Sequence, residues 1–226
     1  MAAGDDSVVN SNAYWNRRFR ENWIASSGRE QTAFFALMAM EAFPGWFRDH
    51  LSEPGRSICD MGCALGEASD LLARAFPEAV VTGVDFSEEA IASARKDYSH
   101  VRFETGDIAT YATAHDVFFC SNTLEHFTDP RPLIEQLCRA ARNYVVVVVP
   151  LWDPPGTIPE HQVLFDDSMF SRLVPAWMRL AHGVIIDCRR LPQSRWQGYQ
   201  GIMILERIAE PLPAILEAMQ PPSSGT

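Results

Sequence analysis

The sequence predicts an α/β protein: a doubly wound, mostly parallel seven-stranded sheet with a C-terminal antiparallel hairpin and an N-terminal helical lid. From residue 58 to residue 149, short apolar runs alternate with segments of helical periodicity, which is the pattern of βαβ units. Two further β-rich stretches, residues 184–189 and 201–208, follow without a helical segment between them. Two strands joined by a turn-rich linker predict a hairpin at the sheet edge.

Five parallel strands are predicted from the apolar runs of the alternating region. The fifth run is an unbroken series of valines, which indicates a strand covered by other structure on both faces. The predicted strands are residues 58–61, 79–84, 101–104, 117–120 and 144–149.

Capping residues predict where two of the intervening helices begin. Ser87 can accept a hydrogen bond from one of the free N–H groups in the first turn of the helix that follows the second strand. Asp129 and Pro130 predict an N-cap and a proline at the first position of a helix over residues 131–142.

Helices are also predicted on either side of the alternating region. Residues 11–50 read as two or three helices rich in aromatic side chains. Residues 167–180 read as a helix interrupted near Pro175, because proline breaks the backbone hydrogen-bond pattern.

The length of 226 residues fits one domain with a sizeable core. Residues 1–50 are expected to form a helical segment of that same domain, and residues 51–220 its α/β body. Residues 221–226 are small and polar and are expected to be disordered.

The composition limits the partners that we expect. The net charge is -10, with 19 basic and 29 acidic residues, so no nucleic-acid partner is expected. No apolar run approaches the roughly 20 residues that cross a bilayer, and no signal peptide is apparent, so we expect no membrane partner. The five scattered cysteines lack the spacing of a zinc site or a disulfide framework, which favours a cytoplasmic protein.

Three elements with binding potential follow three consecutive predicted strands. The first is a glycine turn between Gly62 and Gly66 at a helix start, where backbone N–H groups can approach a ligand. Asp85 lies about 20 residues further on, where an acid accepts hydrogen bonds from ribose hydroxyls. Asp107 follows the third strand, and its carboxylate can accept a hydrogen bond from an adenine amine. All three lie at the same rim of a parallel sheet.

This pattern resembles the class I, Rossmann-like S-adenosylmethionine-dependent methyltransferases, whose first motif is an acid followed by Gly-x-Gly-x-Gly. The resemblance covers residues 57–151, and Ala64 replaces the middle glycine. It implies a pocket floor from the glycine turn, ribose binding by Asp85, and adenine binding beside the second and third strands. The implied cofactor-binding residues are Tyr14, Trp15, Asp60, Gly62, Cys63, Ala64, Gly66, Asp85, Phe86, Asp107, Ile108, Ser121 and Asn122.

Two other readings of these motifs are disfavoured. A nicotinamide dehydrogenase carries Gly-x-Gly-x-x-Gly, whereas this turn is one residue shorter. Amino-methylating DNA enzymes carry an Asp-Pro-Pro-aromatic motif after strand four. Asp153 begins Asp-Pro-Pro-Gly after strand five instead, so we interpret that segment as a stiff loop.

Histidines near the same rim are the candidate catalytic residues. His161, in the loop after the fifth strand, and His126, in a Glu-His pair after the fourth, could each accept a proton from a hydroxyl acceptor. Trp152 is expected in the acceptor pocket. RNA 3′-end methyltransferases of this class carry a Glu-x-x-Glu-His pattern that binds metal, and residues 122–126 resemble it. Asn122 replaces the first glutamate of that pattern, so no metal is expected.

The N-terminal aromatic residues have two interpretations. They could pack as core, or Tyr14 and Trp15 could close over the cofactor as a lid that excludes water. The function predicted overall is methylation of a small molecule, with oxygen favoured: a sugar, phenolic or carboxylic acceptor. The alternatives are a protein or RNA-end methyltransferase, and a catalytically silent subunit that binds S-adenosylmethionine.

Overall fold

The computed structural model describes residues 8–154 and 156–208. Its centre is one seven-stranded sheet in the order β3-β2-β1-β4-β5-β7-β6. The first five strands are parallel, and β7 lies antiparallel between β5 and β6, which confirms the predicted sheet and hairpin. The strands are β1 (Ser57–Met61), β2 (Val80–Asp85), β3 (Arg102–Thr105), β4 (His115–Ser121), β5 (Ala141–Leu151), β6 (Met178–Asp187) and β7 (Tyr199–Arg207). The tail predicted at residues 221–226 lies outside the described residues.

Three helices precede the sheet, as the aromatic-rich segment predicts, and the others connect its strands. Asn12 starts α1 behind an N-cap serine, and Ser87 caps α5 by accepting a hydrogen bond from Ala90 N at 3.1 Å, which confirms its predicted role. The helices are α1 (Asn12–Glu21), α2 (Gly28–Ala42), α3 (Gly45–Leu51), α4 (Glu67–Ala75), α5 (Glu88–Asp97), α6 (Arg131–Ala140) and α7 (Met169–Arg172).

The start of α6 differs from the prediction by one position. Pro130 occupies the N-cap and Arg131 the first helical position, while Asp129 Oδ1 accepts a hydrogen bond from Arg131 N at 3.1 Å. The helix also ends two residues early, because the chain enters β5 at Ala141, where pairing with β4 begins.

The helix predicted over residues 167–180 is wrong. Only the four residues of α7 are helical there, and β6 begins at Met178, six residues before the predicted strand. Pro175 cannot continue a helix, and pairing of Met178 with Arg207 places the following segment on β7. Tertiary pairing thus overrides the helical pattern.

The helices cover both faces of the sheet. Side chains of α2, α3, α4 and α5 form one apolar cluster with one face, and those of α6 and α7 form another with the opposite face. Val145 to Val149 are all buried, as the run of valines predicts. Trp15 and Phe19 of α1 join a smaller cluster that includes Ala64 of the turn after β1. No helix among the described residues is long and apolar enough to cross a membrane.

Candidate active site

The turn after β1 is shaped by backbone contacts that only certain residues permit. The N–H groups of Gly62 and Cys63 both donate to Val84 O, at 2.8 and 3.0 Å, which ties the turn to the end of β2. Gly62 has φ +82°, and a Cβ there would lie 2.3 Å from Thr123 Oγ1. Glycine is therefore required for both the conformation and the close approach.

Ala64, which replaces the middle glycine, also has a left-handed backbone, with φ 48°. This conformation costs an alanine roughly 1–2 kcal/mol. Asp85 offsets the strain, because its Oδ2 accepts a hydrogen bond from Ala64 N at 3.0 Å while its Oδ1 accepts one from Ser87 N at 2.9 Å. Burial raises the pKa of Asp85 to about 6. The two hydrogen bonds that the Asp85 carboxyl accepts therefore stabilise the turn.

A first cavity of about 400 Å³ lies between this turn, α1 and the carboxyl ends of β2, β3 and β4. Such a rim, at the point where strand order reverses between β1 and β4, is the usual ligand position in open α/β sheets. Of the predicted cofactor residues, this cavity is lined by Trp15, Gly62, Ala64, Asp85, Phe86, Asp107, Ile108 and Asn122.

Five predicted cofactor residues do not line this cavity, and one of them, Ser121, lines the second cavity described below. Asp60 lies behind the turn, where its Oδ2 accepts a hydrogen bond from Ser69 Oγ at 2.6 Å and burial raises its pKa to about 7. Cys63 is buried, and Gly66 is the N-cap of α4 with φ +95°. Tyr14 donates its hydroxyl hydrogen to Glu160 Oε1 at 2.6 Å, in the loop after β5.

A second cavity of about 330 Å³ adjoins the first. The two share Trp15, Trp23, Gly62, Ala64, Asn122 and His126 in their walls. The second cavity also takes in the predicted residues Ser121 and His161. Further side chains come from α1, α2, the turn after β4, the loop after β5 and the linker before β7. Those further residues are Arg18, Gln31, Thr32, Phe35, Glu125, Glu160 and Trp196.

His161 is held in place on two sides. Its Nδ1 lies 2.9 Å from Asp153 Oδ2, and the two side chains are only 9% and 11% exposed. The ring of Trp196 stacks on the imidazole with centroids 6.3 Å apart and an interplanar angle of 29°. A carboxylate accepts hydrogen bonds only, so the proton of a neutral His161 sits on Nδ1 and Nε2 is free to accept one.

His126 has a different environment, although its ring centroid is 5.6 Å from that of His161. Burial lowers the pKa of His126 to about 4, so it is neutral near pH 7 and a weak base. Its Nδ1 lies 3.1 Å from Glu160 O, and the ring packs against Trp15 at 5.0 Å between centroids. These contacts suit a positioning residue better than a proton acceptor.

Trp152 does not line either cavity. Its ring is 47% exposed and packs edge-on against Tyr199 at 5.3 Å between centroids. Its backbone has φ 56°, and its N–H donates to Phe165 O at 2.9 Å. The wall of the second cavity comes instead from Trp196, which lies 44 residues further along the chain.

Three residues were missed as site candidates from the sequence. The sequence places Asp153 in a stiff loop, and its position eight residues before His161 in that loop is a usable signal. Glu125 stands out in the sequence only as part of the Glu-His pair and of the metal-binding pattern. Trp196 had no local signal, since it reaches the cavity through the antiparallel pairing of β7 with β5.

The metal-binding pattern in the sequence can be compared with the side chains that surround Asn122. Within residues 8–154 and 156–208, no group of three or more His, Cys, Asp or Glu side chains is arranged to hold a metal ion. Asn122, the residue in the first ligand position of the metal-binding pattern, has its Oδ1 engaged by Gln200 Nε2 at 3.0 Å.

Comparison with known proteins agrees with this geometry. The methyltransferase-domain family profile matches residues 52–173, more than half of the chain. The chain therefore belongs to the methyltransferase-domain family. In the described residues, that match runs from the end of α3 to the end of α7 and includes both histidines of the second cavity.

Two curated relatives are similar over part of their length. A trans-aconitate 2-methyltransferase of Acidovorax sp. (strain JS42) is 34% identical over 130 residues, which are 56% of this chain and 48% of the relative. A ubiquinone biosynthesis O-methyltransferase of Actinobacillus pleuropneumoniae is 36% identical over 152 residues, 62% of this chain and 56% of the relative. The chain thus spans about half the length of these relatives.

A solved structure supports the fold. The plantazolicin methyltransferase BpumL, in complex with a triazolic desmethylPZN analog and SAH, superposes with a TM-score of 0.63. The match covers 87% of this chain and 96% of that one at 20% sequence identity, so it shows a common fold.

Proposed function

We propose that this protein is an S-adenosylmethionine-dependent methyltransferase that methylates a hydroxyl group of a small molecule. The observation that carries the proposal is His161, oriented by Asp153 at 2.9 Å, in a cavity that adjoins the first cavity at the glycine turn. A base beside the cofactor cavity is what a hydroxyl acceptor needs, because the hydroxyl must lose its proton as it is methylated.

The first cavity fits S-adenosylmethionine. Its wall combines the backbone of Gly62 and Ala64, the carboxyls of Asp85 and Asp107, and the apolar side chain of Ile108. Carboxyls suit the ribose hydroxyls and the adenine amine, and apolar side chains suit the adenine faces. When bound, S-adenosylmethionine supplies a methyl group on a positively charged sulfur, a good leaving group.

The chain's own residues supply orientation and proton removal. The two cavities share Asn122 and His126 in their walls, which supports an acceptor in the second cavity beside a ligand in the first. Holding two reacting atoms about 3–3.5 Å apart provides much of the rate acceleration of such a displacement. His161 Nε2 accepts the hydroxyl proton as the oxygen forms its new bond, and Asp153 stabilises the imidazolium that results.

The charges of the second cavity favour a hydroxyl over a carboxylate acceptor. Among the described residues of its wall, Arg18 is the one lysine or arginine, and its guanidinium pairs with Glu160 Oε1 at 3.1 Å. An anionic acceptor would therefore meet little positive charge there. The net charge of -10 supports a small-molecule acceptor over a nucleic acid in the same way.

The test is to incubate the protein with methyl-labelled S-adenosylmethionine and a deproteinised metabolite extract, and to identify the labelled product. We expect an alkali-stable methyl ether on a small molecule. An alkali-labile methyl ester would contradict the hydroxyl acceptor, label on added RNA or protein would contradict the small-molecule assignment, and no incorporation would contradict methyl transfer itself. The His161→Ala variant, run in parallel, reports whether incorporation depends on this site.

A further inference from the structure

Glu125 is a buried acid in the second cavity that the proposed mechanism does not use. It lies in the single 3₁₀ turn Leu124–His126 after β4 and is only 1% exposed. The residue forms part of the cavity wall, yet its Oε2 has no hydrogen-bond partner among the described residues. An unpaired buried polar atom of this kind destabilises the folded protein unless a ligand supplies the missing hydrogen bond.

Hydrogen bonds from two other segments hold the backbone around Glu125 in place. Its carbonyl oxygen accepts hydrogen bonds from Gln162 N at 2.7 Å and Val163 N at 3.3 Å, so the loop after β5 holds it. Asn10 Nδ2 holds the same turn from the other side by donating to His126 O at 3.0 Å. The backbone of Glu125 is therefore fixed at the wall of the second cavity.

Burial raises the pKa of Glu125 to about 8, and the nearby charge of Asp153 acts in the same direction. A carboxyl that is neutral near pH 7 can donate one hydrogen bond through O–H and accept others. This differs from Glu160 in the same wall, which is engaged by Tyr14 and Arg18.

Three other polar atoms of this cavity wall are also without partners among the described residues. They are the indole Nε1 atoms of Trp23 and Trp196 and the Nε of Arg18, each of which can only donate, and the charge of Arg18 is paired with Glu160. With Glu125, the wall thus offers four polar atoms without partners, set among aromatic rings. Donors of this kind suit the oxygen atoms of an uncharged ring, with the aromatic faces covering its apolar parts.

We propose that Glu125 is a specificity-determining residue that hydrogen-bonds to a second oxygen of the acceptor, beyond the one that is methylated. The acceptor class is an uncharged ring with at least two oxygen substituents, such as a polyhydroxylated aromatic ring or a neutral sugar. This inference rests on the proposed function and specifies the acceptor of that site.

The test uses Glu125→Gln and Glu125→Met, which have similar shape but differ in hydrogen bonding. The probe is the fraction of a metabolite extract that passes both anion and cation exchangers, assayed with methyl-labelled S-adenosylmethionine. We expect wild type to label a compound in this neutral fraction. Glu125→Met should raise the half-saturating amount of fraction about 10-fold, the loss of one hydrogen bond, while Glu125→Gln stays within about 3-fold. The maximal rate and the affinity for S-adenosylmethionine should change little in either variant.

Each other outcome is informative. If Glu125→Met needs the same half-saturating amount of the neutral fraction as wild type, the inference is overturned. It is also overturned if wild type labels a product only in the charged fractions. Because the carboxyl atom is unpaired, Glu125→Met should melt at or above the wild-type temperature. A clear loss of folding would show that Glu125 is bonded within the protein and would also overturn it. No labelling of any fraction by wild type overturns the proposed function, and this inference with it.

Discussion

His161 Nδ1 lies 2.9 Å from Asp153 Oδ2, within one loop that follows β5 and overhangs the second cavity. The carboxylate fixes which nitrogen of the imidazole carries the proton and stabilises the ring when it becomes charged. The same chain contains a second histidine–aspartate pair, His100 Nε2 and Asp70 Oδ1, also 2.9 Å apart but lining neither cavity. This second pair is a matched control for the first.

The first prediction concerns catalysis by this pair. His161→Ala should lower the rate of methyl transfer by roughly 10²–10⁴-fold, the usual contribution of a general base. Asp153→Asn should lower it less, because the imidazole remains but is no longer oriented by a carboxylate. His100→Ala should transfer methyl groups at the wild-type rate. Single-turnover measurements at saturating acceptor check all three.

His161 could instead only pin the loop. In that case acceptor binding and thermal stability would fall together in His161→Ala, and the single-turnover rate at saturation would stay near normal. Such a result would remove His161 as the base and direct attention to an acceptor that needs none. Cofactor affinity should be unchanged in either case, since His161 does not line the first cavity.

The second prediction concerns Asp85, whose carboxyl holds the backbone of Ala64 and Ser87. Asp85→Ala should weaken S-adenosylmethionine binding by roughly 1.5–3 kcal/mol, the typical worth of charged hydrogen bonds. It should also lower the melting temperature, because the left-handed turn at Ala64 loses its partner. Calorimetric titration and thermal unfolding check the two effects. Unchanged affinity would rule out the first cavity as the cofactor site.

The third prediction concerns pH and stability. Burial raises the pKa of Asp60 from 3.8 to about 7, so its ionisation opposes folding. The protonated Asp60 makes its full contribution to the free energy of unfolding below about pH 4. That contribution is lost as the pH rises toward 7, by up to about 1.4 kcal/mol per pH unit. Asp60→Asn should therefore gain stability relative to wild type over this range, as measured by denaturant unfolding at several pH values.

Asp116 supplies the opposite case as a control. Hydrogen bonds from Ser57 and nearby arginines lower the pKa of Asp116 in spite of its partial burial. Asp116→Asn should thus differ from wild type by a constant amount between pH 5 and pH 8. A stability difference between Asp60→Asn and wild type that is equally constant would show that Asp60 titrates normally.

Much of the fold was predictable because its signals are local. The strand–turn–helix unit from Ile58 to Gly66, the serine cap at Ser87 and the buried run of valines each depend on neighbours in the sequence. The predicted cofactor residues follow from the same logic, since parallel strands bring their carboxyl ends to one rim. Eight of the predicted residues line the first cavity.

The predictions that were wrong concern segments whose structure depends on contacts between residues distant in sequence. Residues 178–183 form a strand because β7 pairs with them, which local pattern does not reveal. Trp196 reaches His161 through the hairpin, and Trp152 packs against Tyr199 of β7 and lines neither cavity. The second cavity is assembled from α1, α2 and three loops, so its composition required the tertiary structure.

The last prediction distinguishes a lid from a core helix at α1. Two contacts connect α1 to the loop after β5 through Glu160: Tyr14 Oη at 2.6 Å and Arg18 at 3.1 Å. Both are largely shielded from solvent at the Glu160 end, which is 9% exposed on its side chain, so they contribute more than a surface pair.

Glu160→Gln should weaken both contacts and let α1 open locally. The amides of α1 should then exchange with solvent roughly 10–100-fold faster, corresponding to hydrogen bonds to charge worth about 1.5–3 kcal/mol. Affinity for S-adenosylmethionine should fall, because Trp15 of α1 forms part of the first cavity. Glu89→Gln is the control, since Glu89 pairs with Arg20 of the same helix at 3.4 Å but is exposed, and it should leave α1 exchange unchanged. If α1 exchanges as slowly in Glu160→Gln as in wild type, the packing of Trp15 and Phe19 alone holds the helix, and α1 is part of the core rather than a lid.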